Sequence, residues 1–206
     1  MGMKLFVIGA TGGVGKEVVK QALDSGYTVT AFVRDPSKLG MEHAQLHIVQ
    51  GDGLDKNSVI TAMQDHDAVI CTVGGKNLGT STLMSSVTLH LIEGMKQHHI
   101  DRIVYCASAG IHNELKGIMG KLVTFMLRKV LADHTKAYES LVESKLRWTI
   151  ARPMSLTNGP LLGSYNEVLN GEAPKGYNIA RADVAAFMLK VVQDDQYVEQ
   201  SVGLSS

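Results

Sequence analysis

Short apolar runs alternate along the chain with segments whose apolar residues recur every three or four positions. Residues 4–9 (KLFVIG) predict a buried strand, and 14–25 predict a helix that stops at Gly26. Residues 27–33 (YTVTAFV) are β-branched and aromatic and predict a second strand, with a shorter third over 46–49. A brief helix over 57–64 has Asn57 or Ser58 as its expected cap. The fourth strand is expected over 68–73. A long helix follows over 82–98, with Leu83, Val87, Leu91 and Met95 four apart on one face. Residues 102–106 and 148–151 supply two more strands, and 181–192 a late helix. Strands that are apolar throughout and separated by helices need cover on both faces. The expected fold is therefore α/β: a Rossmann-like doubly wound parallel sheet with helices on both faces, in three α/β/α layers.

The 206 residues suit a single domain, 1–206. The segment 153–180 breaks the alternation and holds three of the four prolines. It is expected to form loops with a little strand on the substrate side, because ligands of doubly wound folds bind beyond the carboxyl ends of the strands. Residues 118–131 (IMGKLVTFMLRKVL) predict an amphipathic basic helix, expected as core or as a lid.

Composition narrows the partners. Twenty Lys+Arg balance twenty Asp+Glu, so no global field draws in nucleic acid or an anionic membrane. Cys71 and Cys106 sit in apolar runs and read as buried strand cysteines, with no metal pattern. His98 and His99 are adjacent on a helix and point apart, which argues against a metal there. The N-terminal apolar stretch is too short for a signal peptide, and no run approaches the ~20 residues needed to span a bilayer. The expectation is a cytoplasmic protein, monomer or homodimer, with no nucleic-acid or membrane partner.

The sharpest motif is Gly9-Ala10-Thr11-Gly12-Gly13-Val14-Gly15, after a strand and opening a helix. Glycines permit a tight turn and close approach to a diphosphate, and the helix N-terminus offers unpaired N–H groups. Thr11 adds a hydroxyl. The second strand ends at Arg34, with Lys38 four residues on. A guanidinium suits a 2′-phosphate, which favours NADPH over NADH. Asp52 and Gly53 after the third strand are candidates for the adenine, and Val73 and Gly74 after the fourth for close backbone contact. Ser108, after the fifth strand, faces the nicotinamide position and is a candidate to orient it.

Residues 133–141 (DHTKAYESL), 148–153 (WTIARP) and 179–185 (IARADVA), with GATGGVG and VRDPSKL, carry a resemblance over nearly the whole chain. They resemble the atypical short-chain dehydrogenase/reductase superfamily with NmrA-like NAD(P)-binding domains. Within it the likeness is greatest to NADPH-dependent flavin reductases, also called biliverdin-IXβ reductases. The resemblance implies an NADPH-dependent reductase with free flavin, or a similar conjugated molecule, as substrate. It implies roles for Lys136 near the reacting groups and for Pro153 and Met154 against the cofactor, with Leu161 on the apolar floor. His134 is a further candidate to reach the substrate. The sequence departs from the Tyr-x-x-x-Lys pattern, since Ala132 stands where the tyrosine belongs. That disfavours ordinary alcohol chemistry. It fits an acceptor that takes its proton from water, and equally a non-catalytic NADP(H) sensor. Met154 and Ser155 stand where those reductases carry a histidine, which counts against biliverdin itself. A quinone or carbonyl reductase is a further alternative.

Overall fold

The computed structural model describes residues 2–75, 82–115, 117–169 and 171–206, with the side chain of Met119 outside that set. The strands are β1 (Lys4–Ile8), β2 (Thr28–Val33), β3 (Leu46–Gln50), β4 (Ala68–Cys71), β5 (Arg102–Cys106), β6 (Arg147–Pro153), β7 (Ser155–Thr157), β8 (Asn166–Val168), β9 (Asn178–Ala180) and β10 (Gln200–Ser205). The α-helices are α1 (Gly13–Asp24), α2 (Lys56–Ala62), α3 (Leu83–Gln97), α4 (Gly117–Glu143) and α5 (Arg181–Gln193).

Eight strands form one sheet in the order β3-β2-β1-β4-β5-β6-β10-β8. All its pairings are parallel except β10 with β8. The chain runs outward from β1 to β3, then crosses back to place β4 on the other side of β1. That reversal opens a crevice at the carboxyl ends of β1 and β4, where doubly wound folds bind ligands. Ile8 pairs with both Phe32 and Cys71 there, so the three strands finish level.

Alternation along β1 divides the core. Leu5 and Val7 join a cluster with Val18, Val19, Val184 and Phe187 from α1 and α5. Phe6 and Ile8 join the opposite cluster with Val59, Leu91, Met95 and Leu141 from α2, α3 and α4. Successive strand side chains point to opposite faces, so a wholly apolar strand needs helices on both, as observed.

Several expectations are corrected. Asp55 caps α2: its Oδ1 accepts from the N–H groups of Asn57 and Ser58, so neither of those is the cap. Residues 117–143 form one 27-residue helix. Its first half is not core, since Ile118, Leu122, Phe125 and Met126 are exposed while Leu131, Ala137 and Leu141 are buried. β10 is an additional strand, and its Val202 and Leu204 alternate with Ser201, Gly203 and Ser205 at the period of two that a strand shows. Residues 153–180 carry three short strands joined by irregular chain, and β7 pairs with β9 outside the main sheet.

Candidate active site

Gly9 leaves β1 with φ +83°, a left-handed conformation that a side chain resists. A Cβ there would lie 2.6 Å from the Thr72 carbonyl carbon, so glycine also lets the turn press against the end of β4. Gly12 N–H donates to the Gly9 carbonyl at 2.9 Å and closes the turn. A Cβ on Gly15 would stand 2.2 Å from the Gly9 carbonyl oxygen and 2.8 Å from Thr72 Oγ1. Gly12 is the N-cap of α1 and gives no side-chain cap bond. Gly13, Val14 and Gly15 therefore present the first helical N–H groups, and Thr11 is half-buried beside them. The cradle suits a diphosphate: compact, uncapped, and lined by backbone donors at the positive end of a helix dipole.

Arg34 follows β2, is exposed, and makes no ion pair among the described residues. Asp35 is engaged within its own turn. It caps the 3-10 turn Pro36–Lys38 through Ser37 N–H and accepts from Ser37 Oγ at 2.6 Å. Lys38 is paired with Asp35 at 2.9 Å, which leaves Arg34 as the unpaired cation of this stretch. Asp52 is exposed after β3, with Oδ1 accepting from Leu54 N–H at 3.0 Å. The Gly53 carbonyl accepts from His90 Nδ1 at 2.9 Å. Val73 is half-buried and Gly74 exposed after β4.

Ser108 lies two residues past β5 and is half-buried, and its hydroxyl donates to the Ala109 carbonyl at 3.1 Å. Ala107 N–H to the Ala151 carbonyl and Ala109 N–H to the Pro153 carbonyl tie this stretch to the end of β6. Ser108, Pro153 and Met154 are thereby held together, at the same sheet edge as the glycine turn, Arg34, Asp52 and Val73. Leu161 is half exposed, on a stretch held where Asp183 Oδ1 accepts from Leu162 and Gly163 N–H at 2.9 and 2.8 Å.

On α4, Ala132 and Lys136 are exposed one turn apart. His134 does not join them, which corrects its candidacy for substrate contact. It is 5% exposed, with Nδ1 2.7 Å from the Tyr105 hydroxyl. Burial draws its pKa down to about 4, against the opposing charge of Asp133, so the ring is neutral near neutral pH. Burial likewise raises Tyr105 well above the usual phenol range, which removes it as a ready acid. Cys71 and Cys106 are both buried, and burial pushes each thiol up to about 12, so neither is a nucleophile.

Two residues were missed by the sequence reading. Asp133 caps α3 from 49 residues away, accepting from Met84 N–H and Ser85 N–H at 3.0 Å each. Arg181, the first residue of α5, reaches across Gly13. Among the described residues no group of three or more His, Cys, Asp or Glu side chains is arranged to hold a metal. No described helix is long and apolar enough to cross a membrane.

A family model described as NAD(P)H-binding matches residues 9–195. An uncharacterised chloroplast protein of Arabidopsis thaliana is 30% identical over 174 residues, which cover 78% of this chain and 62% of that protein. Photosystem II assembly factor Ycf39 of Synechocystis is 25% identical over 215 residues, 97% of this chain and 61% of that protein. This chain thus spans about three-fifths of the length of these two curated relatives. Among solved structures, an anaerobillin reductase of Escherichia coli O157:H7 has the same fold, with TM-score 0.81 at 23% identity. That likeness covers 98% of this chain and 96% of the other.

Proposed function

Because the chain belongs to the NAD(P)H-binding family, within the atypical short-chain dehydrogenase/reductase superfamily, we propose that it is an NADPH-dependent reductase of free flavin or a similar conjugated small molecule. The observation that carries the cofactor preference is Arg34, exposed and unpaired among the described residues at the end of β2. Gly9, Thr11, Gly12, Gly13, Val14 and Gly15 hold the diphosphate. Arg34 takes the 2′-phosphate, with Lys38 released from Asp35 as its second cation. Asp52 and Gly53 flank the adenosine, and Val73 and Gly74 offer bare backbone. Ser108, Pro153 and Met154 position the nicotinamide end. NADPH, when bound, supplies a hydride.

What supports this acceptor class is the shortage of proton donors at the site. Ala132 offers no phenol, and the buried His134 and Tyr105 are poor proton donors near neutral pH. An electron-poor ring system needs only orientation and a proton from water, giving the dihydro acceptor and NADP⁺. Lys136 adds positive charge beside it. The shared fold with an anaerobillin reductase suits a large conjugated acceptor. We expect a cytoplasmic or comparably reducing compartment, and a monomer or homodimer. The chloroplast relative makes a plastid-like stroma the other such setting.

A second reading, an NADP(H)-binding regulator without turnover, is favoured by Ala132 and by the likeness to an assembly factor. One assay separates the two. Purified protein is mixed with NADPH and excess FMN or riboflavin in air, and absorbance is followed at 340 nm with NADH in parallel. Oxidation that saturates with flavin and favours NADPH supports the reductase. Tight NADPH binding with no oxidation, across flavins, quinones and carbonyl compounds, overturns it in favour of the regulator.

A further inference from the structure

Gly13 poses a question that the turn itself does not answer. It is the first residue of α1 and has no positive φ, so its backbone would accept any residue. The obstacle to a side chain is Arg181. A Cβ at Gly13 would lie 2.5 Å from Arg181 Nε and 2.6 Å from Arg181 Cδ. The arginine stem thus lies flat across the first α carbon of the helix whose N–H groups line the cradle. Beyond it, Nη1 donates to Asn158 Oδ1 at 2.7 Å and more weakly to the Leu156 carbonyl at 3.4 Å. Both acceptors are neutral, and among the described residues no carboxylate lies within ion-pairing distance. Arg181 also opens α5, whose own N-terminus adds positive potential. A half-buried guanidinium held by two neutral acceptors, beside the N-terminus of α1, keeps its charge and further N–H donors for an anion there.

We propose that Arg181 is a further cofactor-positioning residue: its guanidinium clamps the dinucleotide diphosphate from the α5 side, while Asn158 and Leu156 hold the fork in place. This rests on the NAD(P)H-binding reading of the glycine turn. The clamp acts on the part common to NADPH and NADH, whereas Arg34 acts on the 2′-phosphate alone. Arg181 also links the cofactor to the chain after β6, so a bound diphosphate steadies the substrate-side segment.

The test is titration of wild type, Arg181→Gln, Arg181→Lys and Arg34→Ala with NADPH and with NADH, following nicotinamide fluorescence at several salt concentrations. Loss of a charged phosphate contact weakens binding by about tenfold or more. We expect Arg181→Gln to raise the Kd for both dinucleotides by the same factor and to flatten the salt dependence. Arg181→Lys should recover part of the affinity, which a purely structural role would not give. Unchanged Kd values in Arg181→Gln, with normal wild-type binding, overturn the clamp alone. An effect confined to NADPH also overturns it, by assigning Arg181 to the 2′-phosphate. A wild-type protein that binds neither dinucleotide overturns the underlying reading as well.

Discussion

Tyr105 on β5 and His134 on α4 meet in the core, hydroxyl to Nδ1 at 2.7 Å, with their rings edge-on and centroids 5.8 Å apart. The pair joins the sheet to the helix that carries Ala132 and Lys136. Its chemistry makes stability depend on pH. His134 titrates at about 4 when folded, against 6.5 ordinarily, because burial disfavours the charged ring. Its stabilising contribution is complete above 6.5 and is lost as pH falls toward 4, where the unfolded chain binds a proton that the folded one refuses. That difference corresponds to about 3 kcal/mol. The urea midpoint should therefore fall between pH 6.5 and 4, and His134→Gln should flatten that fall. An equally steep fall in the variant would assign the acid sensitivity to other groups.

Asp133, next in the chain, does different work. Its two oxygens satisfy Met84 N–H, Ser85 N–H and the Ser85 hydroxyl, at 3.0, 3.0 and 2.5 Å. Asp133→Ala leaves buried donors at the start of α3 unpaired and should cost about 2 kcal/mol. In a chain of this size that lowers Tm by roughly 4–8 °C. Asp133→Asn keeps one acceptor oxygen and should lose less. Thermal melts at neutral pH decide it, and equal losses in the two variants would refute a capping role.

Arg34→Ala should separate the two nicotinamide cofactors. The residue makes no ion pair among the described residues, so its removal should leave Tm nearly unchanged. Loss of a charge-assisted fork to a 2′-phosphate is worth about 1.5–3 kcal/mol, or roughly 10- to 150-fold in NADPH affinity. NADH binding should barely move. Parallel loss of both would show that Arg34 stacks on the adenosine and does not read the phosphate.

Two substitutions in the turn grade the cradle by space. A Cβ on Gly12 would sit 3.2 Å from the Gly9 carbonyl oxygen, whereas one on Gly15 would sit 2.2 Å from the same backbone atom. Backbone cannot yield as a flexible side chain does. Gly15→Ala should therefore abolish dinucleotide binding and lower Tm by several degrees, while Gly12→Ala keeps the fold and weakens binding. Calorimetric titration with NADPH ranks them, and the reverse order would contradict this geometry.

Much of this architecture was legible because it follows from burial. Strands such as Lys4–Ile8 are apolar on both faces, and only a covered parallel sheet hides both. The glycine turn was legible because strand, turn and helix are contiguous. What escaped depends on contacts between distant residues. Asp133 caps a helix 49 residues away, and Arg181 explains a glycine at position 13. β10 has the alternation of a strand but only two large apolar residues, Val202 and Leu204, and its place between β6 and β8 depends on pairing with distant chain. His134 looked available beside Lys136, yet adjacent helix faces divide them: one turns to Tyr105, the other to solvent.

The position of Ala132 allows the acceptor chemistry to be altered directly. Ala132 and Lys136 are both exposed and one helical turn apart, so Ala132→Tyr creates Tyr-x-x-x-Lys without disturbing the core. A lysine beside a phenol lowers its pKa and prepares it to give a proton to a carbonyl oxygen, an effect that contributes roughly 10²–10⁴ in rate where the geometry is productive. A carbonyl substrate such as an activated aldehyde should then be reduced by NADPH faster than by wild type, with a pH profile that falls as the new phenol deprotonates. Flavin reduction should stay within about twofold, because water already supplies its proton. If flavin turnover rose in parallel with carbonyl turnover, proton donation would limit both, and the acceptor preference argued from Ala132 would be wrong. If neither changed while NADPH still bound, the face carrying Ala132 and Lys136 would lie away from the reacting end of the cofactor, and Lys136 would lose its assigned role.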